Sequence, residues 1–260
     1  MNIHIVTIAY GLAEDLKTLF GTATSARHTI CWRLFLHSRF PDVLAACEYL
    51  ARRNDVEYYP LGVNRGLARS WNQGILDGYA QGADVVILAN DDMRPGEGDV
   101  DRLAEGAAAM RDKYVVCCDG FDARNKRDHD TGFGFTAVNP LALERIGCFD
   151  ENYFPIYGED ADYRRRGKLA GLQIGVVGGT RVIHQGSKNI HTVPGLLEQN
   201  QVTYAATLEY QMRKWGGHYG KETYEHPFDN PGFGLRIDPA AREHPYGPAY
   251  DRTDQAIVRF

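Results

Sequence analysis

A chain of 260 residues has room for one large α/β domain with a full core, or one and a half domains. Its composition, 43% apolar and 24% charged, is that of an ordinary globule and excludes a disordered or fibrous polymer. Net charge is −5, from 29 basic against 34 acidic residues, so the molecule as a whole is not a binder of nucleic-acid backbones.

The N-terminal run Ile3 to Ile8 predicts a first strand rather than a signal peptide, because it lacks a basic flank and Glu14 and Asp15 follow closely. Leu12 to Phe20 reads as a helix, Thr29 to Leu36 as a second strand, and Pro41-Asp42 opens a helix through Arg53. Val56 to Tyr59 is a short strand before the Gly-Val-Asn-Arg-Gly loop at 62–66. From Leu67 to Gly82, apolar residues at Leu67, Trp71, Ile75 and Tyr79 mark one face of a helix. Asp84 to Ala89 is the clearest strand. This βαβαβ alternation implies a parallel sheet with right-handed crossovers.

Beyond Asp92 the rhythm changes. Asp101 to Lys113 predicts a helix, Tyr114 to Cys118 a strand, and the polar stretch Asp119 to Asp130 a surface loop. Phe133 to Val138 is again a strand, Pro140 begins a short helix ending near Gly147, and Asp160 to Ala170 is a helix stopped by Gly171. Ile174 to Val177 and Arg181 to His184 read as two strands around Gly178-Gly179, and Gly195 to Trp215 as a last helix. The Gly-, Pro-, Tyr- and His-rich tail from Gly216 has no period and is expected to be irregular chain packed on the domain. No apolar run reaches the roughly 18 to 20 residues of a membrane span, which leaves only peripheral membrane contact. Five cysteines, Cys31, Cys47, Cys117, Cys118 and Cys148, form no CxxC pair and mostly sit in apolar runs. Buried free thiols and a reducing, cytoplasmic setting follow as the expectation.

Two acidic clusters carry the chemistry. Asn90-Asp91-Asp92 closes the run Val85 to Ala89, putting carboxylates at a strand end, where open α/β sheets bind ligands. Hard oxygen donors there suit Mg²⁺ or Mn²⁺ bridging a diphosphate, although Asp-Asp before Pro95-Gly96 is also ordinary turn composition. Glu159-Asp160 opens a helix, which a macrodipole alone would favour, and Arg164, Arg165 and Arg166 offer i,i+4 partners. The aromatics Tyr153, Phe154 and Tyr157 beside that pair have the composition of a carbohydrate-facing wall, although aromatics alone are more often core. His184, at a strand end, is a candidate to complete a metal shell, with His191 its competitor, and Lys188 a candidate to neutralise phosphate. Asn64, Gly66 and Asn72, on a loop entering a helix, are candidates to contact a base or ribose.

Taken in order, Ile-Val-Thr-Ile-Ala-Tyr (5–10), Asn-Arg-Gly-Leu-Ala-Arg-Ser-Trp-Asn-Gln-Gly-Ile (64–75), Val-Ile-Leu-Ala-Asn-Asp-Asp-Met (86–93) and Gly-Cys-Phe-Asp-Glu-Asn-Tyr-Phe-Pro-Ile-Tyr-Gly-Glu-Asp-Ala-Asp-Tyr-Arg-Arg-Arg (147–166) resemble an inverting family 2 glycosyltransferase. The resemblance covers roughly residues 3 to 215. It implies a GT-A fold, a Rossmann-like, mostly parallel sheet flanked by helices, with a smaller acceptor-side subregion. Residues 1–92 would form the nucleotide-binding half, 93–215 the acceptor-binding half and 216–260 an extension. It further implies a nucleotide-diphosphate sugar donor, a glycan or glycoconjugate hydroxyl as acceptor, and Mn²⁺ or Mg²⁺ as cofactor. Asp92 becomes the principal metal ligand, with Asp91 on metal or ribose and His184 completing the shell. Asp160 becomes the general base, with Glu159 supporting it, and Thr7, Ala9 and Tyr10 line the nucleotide.

Two departures stand out. Asn90 occupies the first slot of the family's Asp-X-Asp, lowering local negative charge. Relatives often carry an acidic Asp-Asn-Gly-Ser-like turn after the second strand, where this chain reads Leu36-His37-Ser38-Arg39. Two other functions compete for the same residues. A sugar nucleotidyltransferase would need a Gly-rich, basic phosphate loop after the first strand, which Tyr10 to Glu14 matches poorly. An inactive carbohydrate-binding relative rests on Asn90 and is opposed by the intact Glu159-Asp160 pair.

Overall fold

Five consecutive buried residues, Val85–Ala89, require a strand covered on both faces, and the fold is built around that strand. The computed structural model describes residues 1–186, 188–193, 195–238, 243–244 and 247–248. The chain runs β1 (Asn2–Ala9), α1 (Ala13–Thr22), β2 (Thr29–Leu36), α2 (Pro41–Leu50), β3 (Val56–Tyr59), α3 (Leu67–Ala80) and β4 (Val85–Ala89). It continues through β5 (Met93–Arg94), α4 (Asp99–Ala109), β6 (Val115–Asp122), β7 (Arg127–Asp130), β8 (Phe135–Val138) and α5 (Pro140–Arg145). The last elements before the tail are α6 (Glu159–Leu169), β9 (Ile174–His184), α7 (Lys188–Thr192) and α8 (Leu196–Trp215).

The sheet order among the described residues is β3-β2-β1-β4-β8-β6-β9-β5, with β7 on β6. Pairing is parallel from β3 through β4 and between β6 and β9. It turns antiparallel where β8 inserts between β4 and β6. The mostly parallel sheet flanked by helices therefore agrees with expectation.

Alternation along each strand divides the core in two. Ile3, Ile5, Val85, Ile87 and Val116 face one layer with Leu16, Val43 and Leu103 of α1, α2 and α4. Val6, Val86, Leu88 and Val138 face the other with Trp71 and Ile75 of α3, Ala142 of α5 and Tyr163 of α6. Each fully buried Leu, Ile or Val contributes about 1.5–3 kcal/mol, so this two-sided burial outweighs any local propensity. Pro41 and Pro140 sit in the first turns of α2 and α5, where their missing N–H has no cost.

Three expectations need correction. The stretch 119–130 is a hairpin of β6 and β7, not a loop, with Lys126 at a φ of 51° in its turn. Residues 174–184 form one strand rather than two, its register shifting opposite Cys118 and Gly120 and so absorbing Gly178-Gly179. The helix expected through Lys113 ends at Ala109. Within 216–238 the tail is irregular apart from a 3₁₀ turn at Pro227–Asp229, and Ile237 is buried against Gly147. Most of the expected tail beyond 238 lies outside the described residues, with Glu243–His244 and Gly247–Pro248 forming a short pair. All five cysteines are free, and all but Cys31 are buried. Among the described residues no helix is long and apolar enough to cross a membrane.

Candidate functional site

The parallel strands β1, β2 and β4 all end at one edge, and the residues just past those ends line a cavity of about 480 Å³. Tyr10, His37, Asn64, Asn90, Asp91 and Asp92 line it from the first half of the chain. Tyr157, Glu159, Asp160, Arg164, His184 and Lys188 reach the same lining from the second half. The two acidic pairs, distant in sequence, therefore face a single hollow.

Asp91 and Asp92 are both buried, about 5% and 4% exposed. Burial, then the charge of Asp92, pushes the Asp91 carboxyl up to about 7, against which the Asn189 amide and the Tyr10 backbone N–H pull it down. Asn189 Nδ2 donates to both Asp91 oxygens, at 2.9 and 3.1 Å. Asp92 Oδ2 lies 3.5 Å from His184 Nε2 and accepts from the Lys188 backbone N–H at 3.4 Å. Burial alone would lower the His184 pKa, yet the bond to Asp92 and the charge of Asp92 leave it raised. The Lys188 ammonium goes elsewhere: it lies 2.6 Å from Asp15, which Arg94 also holds at 2.9 Å.

These donors suit a divalent cation in part. Among the described residues no group of three or more His, Cys, Asp or Glu is arranged as a closed metal cage. Asp92 with His184 supplies two donors side by side, beside a second buried carboxylate. A Mg²⁺ or Mn²⁺ that takes its remaining ligands from phosphate and water needs no more. Among the described residues neither carboxylate pairs with a Lys or Arg side chain, so a cation beside them would offset the cost of their burial. His191 is not the partner: it is exposed and meets Arg124.

Gly158 sets the second pair. It holds a φ of 99°, and a Cβ there would lie 2.4 Å from the Tyr153 ring, so only glycine turns the chain into α6 at this point. Glu159 and Asp160 then occupy the first turn, where the helix dipole favours anions. Glu159 is about 4% exposed, and its Oε2 has no hydrogen-bond partner among the described residues. Burial, reinforced by the neighbouring Asp160, raises its pKa well above the usual carboxylate range. Asp160 is the more open of the two. A buried Glu159 with a raised pKa thus stands beside a more open Asp160, and both line the cavity.

Several expected residues sit elsewhere. Tyr153 and Phe154 do not face the cavity: Tyr153 is fully buried, packed on Tyr210 and donating to Gln211 at 2.5 Å, and Phe154 lies against Gly66. The wall from that stretch is Pro155, Ile156 and Tyr157. Thr7, Ala9, Gly66 and Asn72 lie behind the lining. Thr7 and Ala9 are buried core neighbours, and Asn72 ties α3 to the Phe149 backbone by bonds of 2.8 and 3.0 Å. The arginines of α6 do not pair with Glu159 or Asp160. Arg166 binds Asp162 at 2.7 Å, Arg165 donates to the Tyr224 carbonyl, and Arg164 reaches the cavity near Asp130. Sequence reasoning missed His37, Asn189, Asp122, His129 and Arg164 in the lining. Asn189 had a local signal in its adjacency to Lys188, and His37 one in its place in the turn after the second strand.

No protein-family model matches the chain. Among solved structures, the S. aureus TarS fragment 1-349 superposes with a TM-score of 0.57 at 10% identity, covering 71% of this chain and 60% of that one. The mannosyltransferase PcManGT from Pyrobaculum calidifontis, in complex with GDP-Man and Mn²⁺, gives 0.55 at 13% identity, covering 80% and 64%. The fold is that of the GT-A glycosyltransferases. A galactofuranosyl glycosyltransferase from Leishmania donovani is 46% identical over 46 residues, which is 18% of this chain and 11% of that protein. The chain thus spans under two thirds of the length of the TarS fragment and the mannosyltransferase, and about a tenth of the curated relative.

Proposed function

We propose that this chain is a metal-dependent, inverting glycosyltransferase that moves a sugar from a nucleotide-diphosphate sugar to a hydroxyl of a glycan or glycoconjugate. The observation that carries this reading is the convergence of Asp91-Asp92 and Glu159-Asp160 on one cavity of about 480 Å³. The structural neighbours support it: PcManGT is in complex with GDP-Man and Mn²⁺, and TarS with UDP-GlcNAc.

Asp92 and His184 would hold the cation, with Asp91 beside them. Mn²⁺ or Mg²⁺ there would offset the negative charge of the departing diphosphate. Asp160 accepts the proton of the acceptor hydroxyl as its oxygen bonds to the anomeric carbon. The bond from that carbon to the diphosphate oxygen breaks, and its electron pair leaves with the diphosphate. One displacement inverts the anomeric configuration. Glu159 stands beside the base with its carboxyl raised well above the ordinary range by burial, and Ile156, Tyr157 and Phe133 add aliphatic and aromatic wall to the cavity.

Replacing the base tests this. Asp160→Asn is expected to lower transfer by about 10²–10⁴-fold while calorimetry shows donor binding unchanged. Turnover at the wild-type rate would remove Asp160 from the role.

A further inference from the structure

This inference rests on the donor reading above and concerns the floor of the same cavity. A polar atom buried without a hydrogen-bond partner is uncommon in a folded protein, and several around one hollow call for a ligand that completes them. Trp71 Nε1, His129 Nε2, Glu159 Oε2, Asn189 Oδ1 and Asn200 Oδ1 are buried atoms with no partner among the described residues, and all five residues line this cavity. Trp71 and Glu159 are the most enclosed of them, about 2% and 4% exposed.

Trp71 is the decisive member. An indole has one N–H and no acceptor, so only a lone pair can complete it. The residue packs with Val6 of β1 and Leu88 of β4, the strands whose ends lead to Tyr10 and to Asp91-Asp92. Its ring also meets Phe149 at 5.2 Å, and Phe149 stacks at 4.0 Å on Tyr163, one turn of α6 beyond Glu159. Trp71 thus links the strand ends assigned to the diphosphate with the helix assigned to the base. The group that lies between a departing diphosphate and an attacking hydroxyl is the transferred sugar, since its anomeric carbon is bonded to the first and attacked by the second.

We propose that Trp71 is a specificity-determining residue for the donor's sugar, its Nε1–H donating to a hydroxyl of the sugar ring. A hydroxyl suits these surroundings because it accepts from the indole and keeps its own hydrogen for an oxygen such as Asn200 Oδ1. A sugar nucleotide therefore gains a contact at Trp71 that the bare nucleoside diphosphate lacks.

The indole proton itself reports the outcome. The chain has 3 tryptophans, and of these Trp71 alone lines the cavity, Trp32 being stacked on Phe20 and Trp215 donating to Asp162. Indole N–H resonances of the ¹⁵N-labelled chain are followed with Mg²⁺ while UDP is compared with UDP-glucose and UDP-GlcNAc, and GDP with GDP-mannose. At least one sugar nucleotide is expected to move the Trp71 resonance further than its own nucleoside diphosphate does, with Trp32 and Trp215 unmoved. Trp71→Phe keeps an aromatic ring against Phe149 without the N–H. In calorimetry its preference for that sugar nucleotide over the nucleoside diphosphate should fall about fivefold or more. A Trp71 resonance that answers sugar nucleotides and nucleoside diphosphates alike, or a preference unchanged in Trp71→Phe, overturns the inference. Should that variant not fold, contacts of the indole proton with the Phe149 ring assign the wild-type resonance, and its response decides alone. Failure of every nucleotide to bind removes the donor reading and this inference with it, whereas nucleotide binding to which no sugar adds anything overturns this inference only.

Discussion

Asp92 shows how a single side chain can be legible in chemistry yet ambiguous in role until its neighbours are known. It is buried, lines the cavity, and lies 3.5 Å from His184. A carboxylate so placed without a Lys or Arg beside it is costly, and the cost falls when a cation shares the site. Asp92→Ala is therefore expected to lose the Mn²⁺-dependent part of nucleotide binding, at least about 1.4 kcal/mol or tenfold in Kd. Titration with and without Mn²⁺ reads this directly, and an unchanged metal dependence would take Asp92 out of the cation site. Tyr153 is the converse case. Its aromatic character pointed to a sugar wall, but it is core. A side chain of that kind is equally at home packed under Gly158, and sequence cannot tell the two faces of an irregular segment apart.

At the level of elements, α6 is the piece that must be held still, because Glu159 and Asp160 stand on its first turn. A buried ion network does this. Asp150, Asp162, Arg166 and Lys214 are all essentially inaccessible. Lys214 of α8 reaches Asp150 at 2.7 Å and Asp162 at 2.5 Å, and Trp215 Nε1 donates to Asp162 at 2.8 Å. Two anions and two cations balance, so the network tolerates burial only while complete. Lys214→Met leaves two carboxylates sharing one guanidinium, and urea unfolding should register a loss of about 3–5 kcal/mol, with transfer slowed as α6 loosens. A loss below about 1 kcal/mol would mean that α8 does not anchor α6. The sequence disclosed the longer helices, since periodic apolar faces survive without tertiary information, but not α7, whose 5 residues are too few to show a period. It hid β7, an edge strand whose Arg127, Asp128 and Asp130 are polar on both faces, and so carries no alternation to read. It also hid the company of Asp91, because Asn189 arrives there by the topology of β9 and α7 rather than by spacing.

At the scale of the molecule, the cavity gathers buried titratable groups whose effects on stability oppose one another across acidic pH. Asp91 and Glu159 have raised pKa values and hold protons in the fold that the unfolded chain releases, so they favour the fold as pH falls. His37 acts in the other sense. Its folded pKa is about 4 against an unfolded value near 6.5, so between those limits the unfolded chain binds a proton that the fold refuses. Its contribution is complete above pH 6.5 and is lost as pH falls toward 4. The difference amounts to about 3 kcal/mol, and comparison with His37→Gln isolates it, because Asp91 and Glu159 cancel in the subtraction. Glutamine keeps one donor and one acceptor for Asn64 and Ser70 but does not titrate. Urea unfolding of both proteins at pH 7 and pH 4.5 should show wild type losing about 2–3 kcal/mol relative to the variant. Parallel pH profiles would mean that His37 is not held neutral. Protonating His37 also puts a second donor against the Ser70 hydroxyl, which must then turn its own hydrogen elsewhere. The same titration should therefore loosen the tie from β2 to α3 and to Asn64.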